Sequence, residues 1–274
     1  MTHRLVLHEA MAREDIQIIP PELLIRAYRA GIFPMADSRD DPEVYWVEPR
    51  MRAILLLDGF HLSHSLARTV RRDRFRVTCN AAFDAVIDNC AAPRPDAQES
   101  WISGRIRESY RALHRLGAAH SIETWFTDAA GIERLVGGLY GVGFDRVFCG
   151  ESMFSRVPDA SKVALAWLVA ALRAGGAELL DCQFTTPHLA SLGAIEIPQA
   201  DYLDRLSAAM RPPEDHAADS AYSGGAASAG ASSGASATGA GALLPAGFAA
   251  LLAAAAGSSS SPGKCIAQSL IQTS

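Results

Sequence analysis

Residues 120–184 decide the fold. HSIETWF (120–126), RLVGGLYGV (134–142) and RVFC (146–149) are followed by SKVALAWLVAALR (161–173) and LLDCQF (179–184). The first three segments are rich in β-branched and aromatic residues and separated by turn residues, which predicts successive strands. The fourth is strongly apolar and ends at Gly175-Gly176, a helix with a glycine stop. The fifth reads as a strand, and a last helix is expected near Asp201–Met210. Three strands, a helix, a strand and a helix predict an α+β fold built on a mixed sheet.

Working outward, the upstream chain alternates shorter signals. Pro20-Pro21 opens a helix with Leu23, Leu24, Ala27 and Tyr28 on its apolar face, closed by Gly31. Ala53–Leu57 predicts a strand, and Ser63 is placed to cap a helix carrying Leu66 and Val70. Phe75–Cys79 predicts a strand and Asn80 a cap for a helix with Phe83, Val86 and Ile87. A helix follows over Ile106–Leu116. Downstream, composition changes after Arg211: Pro212–Ser274 is mostly Ala, Ser and Gly. Such a stretch buries too little to offset its ordering entropy and is expected to be disordered. Within it, 240–257 is uncharged and near the length of a membrane span, but it is Ala-rich and interrupted by Gly241, Pro245 and Gly247. A loose helical patch is the expectation, not an anchor. The predicted division is a small N-terminal α/β domain (1–58), a larger mixed-sheet domain (59–211) and a low-complexity tail (212–274).

Of 274 residues, 25 are Lys or Arg and 30 Asp or Glu, a net charge of −5, which disfavours a general nucleic-acid-coating role. Residues 1–13 lack the apolar run of a secretory signal. The five cysteines (79, 90, 149, 182, 265) form no CxxC and no His/Cys cluster, which predicts reduced thiols, no metal and a cytoplasmic protein.

Four clusters carry chemistry. Gly31-Ile-Phe-Pro34 reads as a rigid turn. Glu99-Ser-Trp101-Ile102, with Tyr110 beyond it, sets aromatic faces near Arg105 and Arg107 that suit a nucleobase as well as a core. Phe148-Cys-Gly-Glu-Ser-Met-Phe-Ser-Arg156 follows a strand and holds Glu151 where the backbone is expected to turn sharply. Its apolar surroundings leave two readings, a structural pair with Arg156 or a site for a cationic ligand. At the end of the last strand, alternation puts Asp181 and Gln183 on one face, as a hydrogen-bonded pair directed at a ligand or a structural network closing the sheet, and Cys182 on the other, where it reads as a buried small residue. Arg68, Arg71, Arg72, Arg74 and Arg76, preceded by Arg50 and Arg52, read either as a solvated helix face or as the one basic surface suited to phosphates.

These clusters, with Ala119-His-Ser-Ile-Glu123, Gly137-Gly-Leu-Tyr-Gly141, Ala160-Ser-Lys162 and Leu192-Gly-Ala-Ile-Glu-Ile-Pro198, resemble the leucyl/phenylalanyl-tRNA–protein transferase family in order and spacing across about 20–205. The resemblance implies a catalytic domain similar to the GCN5-related acetyltransferase fold. It implies transfer of Leu, Phe or, less well, Met from aminoacyl-tRNA to the α-amine of proteins beginning with Arg or Lys, marking them for N-degron degradation. It implies no metal and no cofactor; a monomer without membrane association is the further expectation. Asp181 would hydrogen-bond Gln183, which would align the attacking amine while its proton leaves by another group. Glu151 would face the cationic acceptor residue or its α-amine. Leu139, Phe148, Met153, Leu168 and Leu180 would line the aminoacyl pocket. Trp101 and Tyr110 would lie near the terminal adenosine, and the arginines at 68–76 would hold acceptor-stem phosphates. Met35 stands where some relatives carry Trp. Two rivals are an acyl-CoA N-acyltransferase and a non-catalytic tRNA- or peptide-binding module. The first is disfavoured because its nearest pyrophosphate-loop match, Arg134-Leu-Val-Gly137-Gly-Leu139, ends in Leu within a strand.

Overall fold

The computed structural model describes residues 17–93, 100–212, 241–258 and 260–271; Glu99 and residues 1–13 lie outside them. The chain runs α1 (Pro21–Arg29), β1 (Phe33–Met35), β2 (Tyr45–Val47), β3 (Met51–Leu55), α2 (His64–Arg71), β4 (Arg76–Cys79), α3 (Phe83–Ala91) and α4 (Gly104–Arg115). It continues through β5 (Ala119–Thr127), β6 (Glu133–Phe144), β7 (Val147–Ser155), α5 (Ala160–Ala174), β8 (Leu179–Gln183), α6 (Pro187–Ala190), β9 (Ala194–Pro198) and α7 (Gln199–Met210).

Seven strands form one sheet in the order β4-β5-β6-β7-β8-β3-β9, while β1 and β2 pair separately. Only β7 and β8 are parallel in it, and α5 makes the crossover that a parallel pair requires. This is the mixed α+β sheet with a small N-terminal unit that the sequence predicts. Neighbouring strand residues divide between two apolar clusters: Ile54 from Leu55, Val147 from Phe148, Leu179 from Leu180. That two-residue period marks the two faces of the sheet. One face packs on α2 and α5, the other on α1, α3, α4 and α7.

Several expectations change. β3 lies inside the 1–58 span, yet it sits between β8 and β9 in the large sheet. Leu23 is 40% exposed, so the buried face of α1 is Leu24, Ala27 and Tyr28. Ser63 caps α2 as expected, its hydroxyl accepting from the Leu66 N–H at 3.3 Å. Asn80 does not cap α3. It takes a left-handed φ of 60°, and its side chain pairs with the Ser121 N–H and His120 Nδ1. A tertiary partner has outcompeted the local cap.

The disorder expected over 212–274 does not hold for the described part of that stretch. Residues 213–240 lie outside the described residues, but α8 (Leu243–Gly257) and α9 (Pro262–Ile271) dock on the body. Leu244, Phe248, Ile266 and Leu270 join the α5 side of the core, with the Phe248 and Trp167 rings 5.3 Å apart. At Gly247 an added Cβ would lie 1.9 Å from the Ala171 carbonyl oxygen, so only glycine allows this approach. α9 meets the end of α2, where the Gly263 N–H donates to Asp73 Oδ1 at 2.7 Å. Composition alone misses this because the burial comes from a surface elsewhere in the chain. No single described helix is long and apolar enough to cross a membrane.

Candidate active site

The parallel ladder of β7 and β8 runs through Val147/Leu179, Phe148/Leu180 and Cys149/Asp181 and stops there. Two residues further along each strand stand Glu151 and Gln183, joined across the gap by side chains: Gln183 Nε2 donates to Glu151 Oε1 at 2.8 Å. A cavity of about 800 Å³ opens at this gap. Leu139, Met153, Leu168 and Leu180 form part of its wall, with Leu165 and Cys182 beside them. Phe148 belongs to the same apolar cluster but lies behind the wall. Trp101 and Met35 also line the cavity, as do Lys162 and His188.

Backbone irregularities aim the two polar groups. The expected turn at Gly150–Ser152 is a β-bulge within β7: Gly150 pairs with Gly141 and Ser152 with Tyr140, leaving Glu151 as the extra residue. A bulge redirects the residue it carries. Gly141 permits it, since an added Cβ would lie 2.3 Å from the Cys149 carbonyl oxygen. Gln183 sits at a left-handed φ of 63°, uncommon for a residue with a Cβ, which breaks the two-residue alternation at the strand end.

Glu151 is 8% exposed and accepts three neutral donors: Tyr28 Oη at 2.7 Å, Tyr110 Oη at 3.0 Å and Gln183 Nε2. It pairs with no cation among the described residues; Arg156 instead donates to Asn89 Oδ1 at 2.8 Å. Burial pushes the Glu151 carboxyl up to about 7, and its hydrogen bonds offset this only in part. The donor set is complete without a positive charge.

Asp181 is built differently. It is fully buried and held by Arg52, Nε to Oδ1 at 2.9 Å and Nη2 to Oδ2 at 2.6 Å. Tyr202 Oη donates to Oδ2 at 3.0 Å. The guanidinium lies between the Phe33 and Tyr202 rings, at 4.7 and 4.5 Å. Burial lowers the Arg52 pKa, but the hydrogen bonds and charge of Asp181 outweigh it and the group stays charged. Asp181 contacts Gln183 through the backbone N–H, at 2.8 Å, rather than through the side-chain amide. It does not reach the cavity.

Further expectations change here. Arg52 is 1% exposed and belongs to this buried pair, not to a basic surface. Tyr110 is fully buried, packed edge-on against Tyr140, and has no open ring face for a nucleobase. Arg76 is engaged by Glu133, at 2.7 and 2.6 Å. Arg68, Arg71, Arg72 and Arg74 are exposed on α2 and the turn after it, outside the cavity. Cys182 is half-buried rather than buried and lines the same cavity as Gln183, because the left-handed turn at Gln183 ends the alternation; burial and the Asp181 charge raise its pKa, leaving a neutral thiol. Sequence reading missed Tyr28, Arg52 and Tyr202 as site residues: each acts from more than 20 residues away, and no local pattern announces it. Gly31 was the nearest signal, because its carbonyl accepts from Arg52 Nη1 at 3.0 Å.

No group of three or more His, Cys, Asp or Glu side chains among the described residues is arranged to hold a metal ion. Residues 54–207 match the family model described as leucyl/phenylalanyl-tRNA protein transferase, and residues 18–50 match that of its N-terminal domain. A leucyl/phenylalanyl-tRNA–protein transferase of Novosphingobium aromaticivorans is 67% identical over 96% of this chain and 100% of its own. The protein of that name from Zymomonas mobilis is 60% identical over 70% of each chain. That from Nitrobacter winogradskyi is 55% identical over 76% of this chain and 91% of its own. The Novosphingobium alignment therefore continues into the C-terminal stretch that bears α8 and α9. With both family models covering the site just described, the chain belongs to the leucyl/phenylalanyl-tRNA–protein transferase family and is an aminoacyltransferase.

Proposed function

We propose that this enzyme moves Leu or Phe, and Met less well, from aminoacyl-tRNA to the α-amine of proteins beginning with Arg or Lys, as a cytoplasmic monomer feeding N-degron degradation. The observation that carries the reading is Glu151, an uncompensated carboxylate beside Gln183 where an apolar cavity meets the gap between β7 and β8. A buried acid without a counter-ion favours a cationic ligand, because a neutral one leaves it unpaired. The acceptor supplies that charge at its N-terminal residue.

The chemistry asks little of the protein. An aminoacyl ester is already activated, and an α-amine with a pKa near 8 is partly neutral at pH 7. Placement therefore supplies much of the rate. Because Gln183 gives Nε2 to Glu151, its carbonyl oxygen is the end left to accept an amine N–H and aim the lone pair at the ester carbon. Asp181, locked by Arg52, positions Gln183 through its backbone. Leu139, Met153, Leu168 and Leu180, with Phe148 behind them, receive the unbranched or γ-branched side chain of the donor. Trp101 lies at the adenosine end, and Arg68, Arg71, Arg72 and Arg74 hold phosphates without reading bases.

The test is to mix the protein with labelled Phe-tRNA and an Arg-initiated peptide. Label on the peptide is expected. Retention of the tRNA without transfer, or activity only with an acyl-CoA donor, would replace this reading with a binding module or an acyl-CoA transferase.

A further inference from the structure

The proton shed by the attacking amine needs a destination near Gln183. Gln183 itself is an amide and a poor base, and Asp181 is sealed behind Arg52 and Tyr202. Beside them, four oxygens close a ring. Tyr28 Oη contacts Glu151 Oε1, Tyr110 Oη contacts Glu151 Oε2, and the two phenol oxygens contact each other. Three oxygen–oxygen contacts need three protons. With Glu151 ionised the ring holds two, one per phenol, so one contact joins lone pair to lone pair. A third proton on Oε2 fills every contact head to tail: the carboxyl donates to Tyr110, Tyr110 to Tyr28, and Tyr28 to Oε1. Gln183 Nε2 keeps donating to Oε1 throughout.

We propose that the Tyr28–Tyr110–Glu151 ring is the proton store of the transfer reaction, taking one proton from the acceptor amine as it attacks. The assignment rests on the function proposed above. The amine nitrogen forms a bond to the ester carbon, and the carbonyl π pair moves to oxygen. The resulting ammonium passes its proton to Glu151. As the carbonyl re-forms, the bond to the ribose oxygen breaks, and that oxygen leaves with the stored proton as a hydroxyl. One amide and one free tRNA result, and the ring returns to two protons.

The surroundings suit a group that takes up a single proton. Burial and the Glu151 charge hold Tyr28 and Tyr110 well above the ordinary phenol range, so both remain donors. Tyr140 from β6 and Cys149 from β7 are fully buried and held neutral by burial. Asp181 from β8 adds an upward push on Glu151, and Arg52 from β3 is committed to Asp181.

The experiment is the pH dependence of kcat for transfer from Phe-tRNA at saturating Arg-initiated peptide, in wild type, Tyr28→Phe and Tyr110→Phe. Each substitution keeps the ring shape and removes one hydrogen bond to the ionised carboxylate. The acid limb that belongs to Glu151 should therefore move to higher pH by about one unit, and Glu151→Gln should remove it, leaving only the limb set by the acceptor amine. A uniform loss at every pH with the limb in place marks a structural role and overturns the proposal, as does an unchanged profile. If wild type transfers nothing, the parent function fails as well. If it transfers and the limb does not move, only the proton store fails.

Discussion

Asp181 and Glu151 stand on neighbouring strands of one site, both shielded from water, and the protein surrounds them in opposite ways. Asp181 has a bidentate guanidinium, a phenol and a backbone N–H. Glu151 has two phenols and an amide, with no positive charge. The first arrangement cancels a charge and fixes geometry. The second leaves a charge that a ligand or a proton can cancel. The two carboxylates therefore differ in their compensation and not in their burial.

The comparison breaks most visibly at Arg52. Arg52→Met should destabilise the fold by about 3–5 kcal/mol, because it strands a buried carboxylate. Denaturant unfolding measures this, and adding Asp181→Leu should recover most of the loss. A loss under 1 kcal/mol would mean the pair is not structural.

Glu151 should behave in the opposite sense. Its folded-state pKa is raised from 4.5 to about 7. Between those values the unfolded chain ionises while the folded one keeps its proton, so stability falls as pH rises through that window. The accumulated penalty is about 3 kcal/mol above pH 7. Unfolding free energies at pH 5 and pH 8 should thus drop more in wild type than in Glu151→Gln. An identical drop in both would assign the pH dependence elsewhere.

Surface charge offers a third case. Arg68, Arg71 and Arg72 are exposed, and replacing all three with Ala should leave unfolding nearly unchanged. tRNA affinity should fall about tenfold, and the salt slope should shrink by roughly one unit per arginine that contacts phosphate. Filter binding across a salt series checks it. Removing 213–274 tests the docking of α8 and α9. Losing Leu244, Phe248, Ile266 and Leu270 from the core should cost about 2 kcal/mol net, with transfer intact at 20 °C and both carboxylate signatures retained.

The strand and helix order was legible because apolar periodicity and turn residues are local signals, and the run from β5 to β8 shows both. The chemistry of the site was legible only in part. Glu151, Gln183 and Asp181 stand out as polar residues in apolar company, but Gly150-Glu-Ser152 reads as a turn until its pairing with β6 turns it into a bulge. Tyr28 and Arg52 reach the site from 123 and 129 residues away, a separation no spacing rule spans. Asn80 and the helices after 240 share that cause: their partners, Ser121, His120 and α5, come into reach only when the chain folds.

The most direct test of the division between the two carboxylates uses Glu151→Gln. It compares kcat/KM for transfer to an Arg-initiated peptide with the Kd for a stable Phe-adenosine amide. kcat/KM should fall about a hundredfold while Kd stays within about twofold. Equal losses of both would contradict that division, because Glu151 would then be holding the donor pocket together, as Asp181 and Arg52 do.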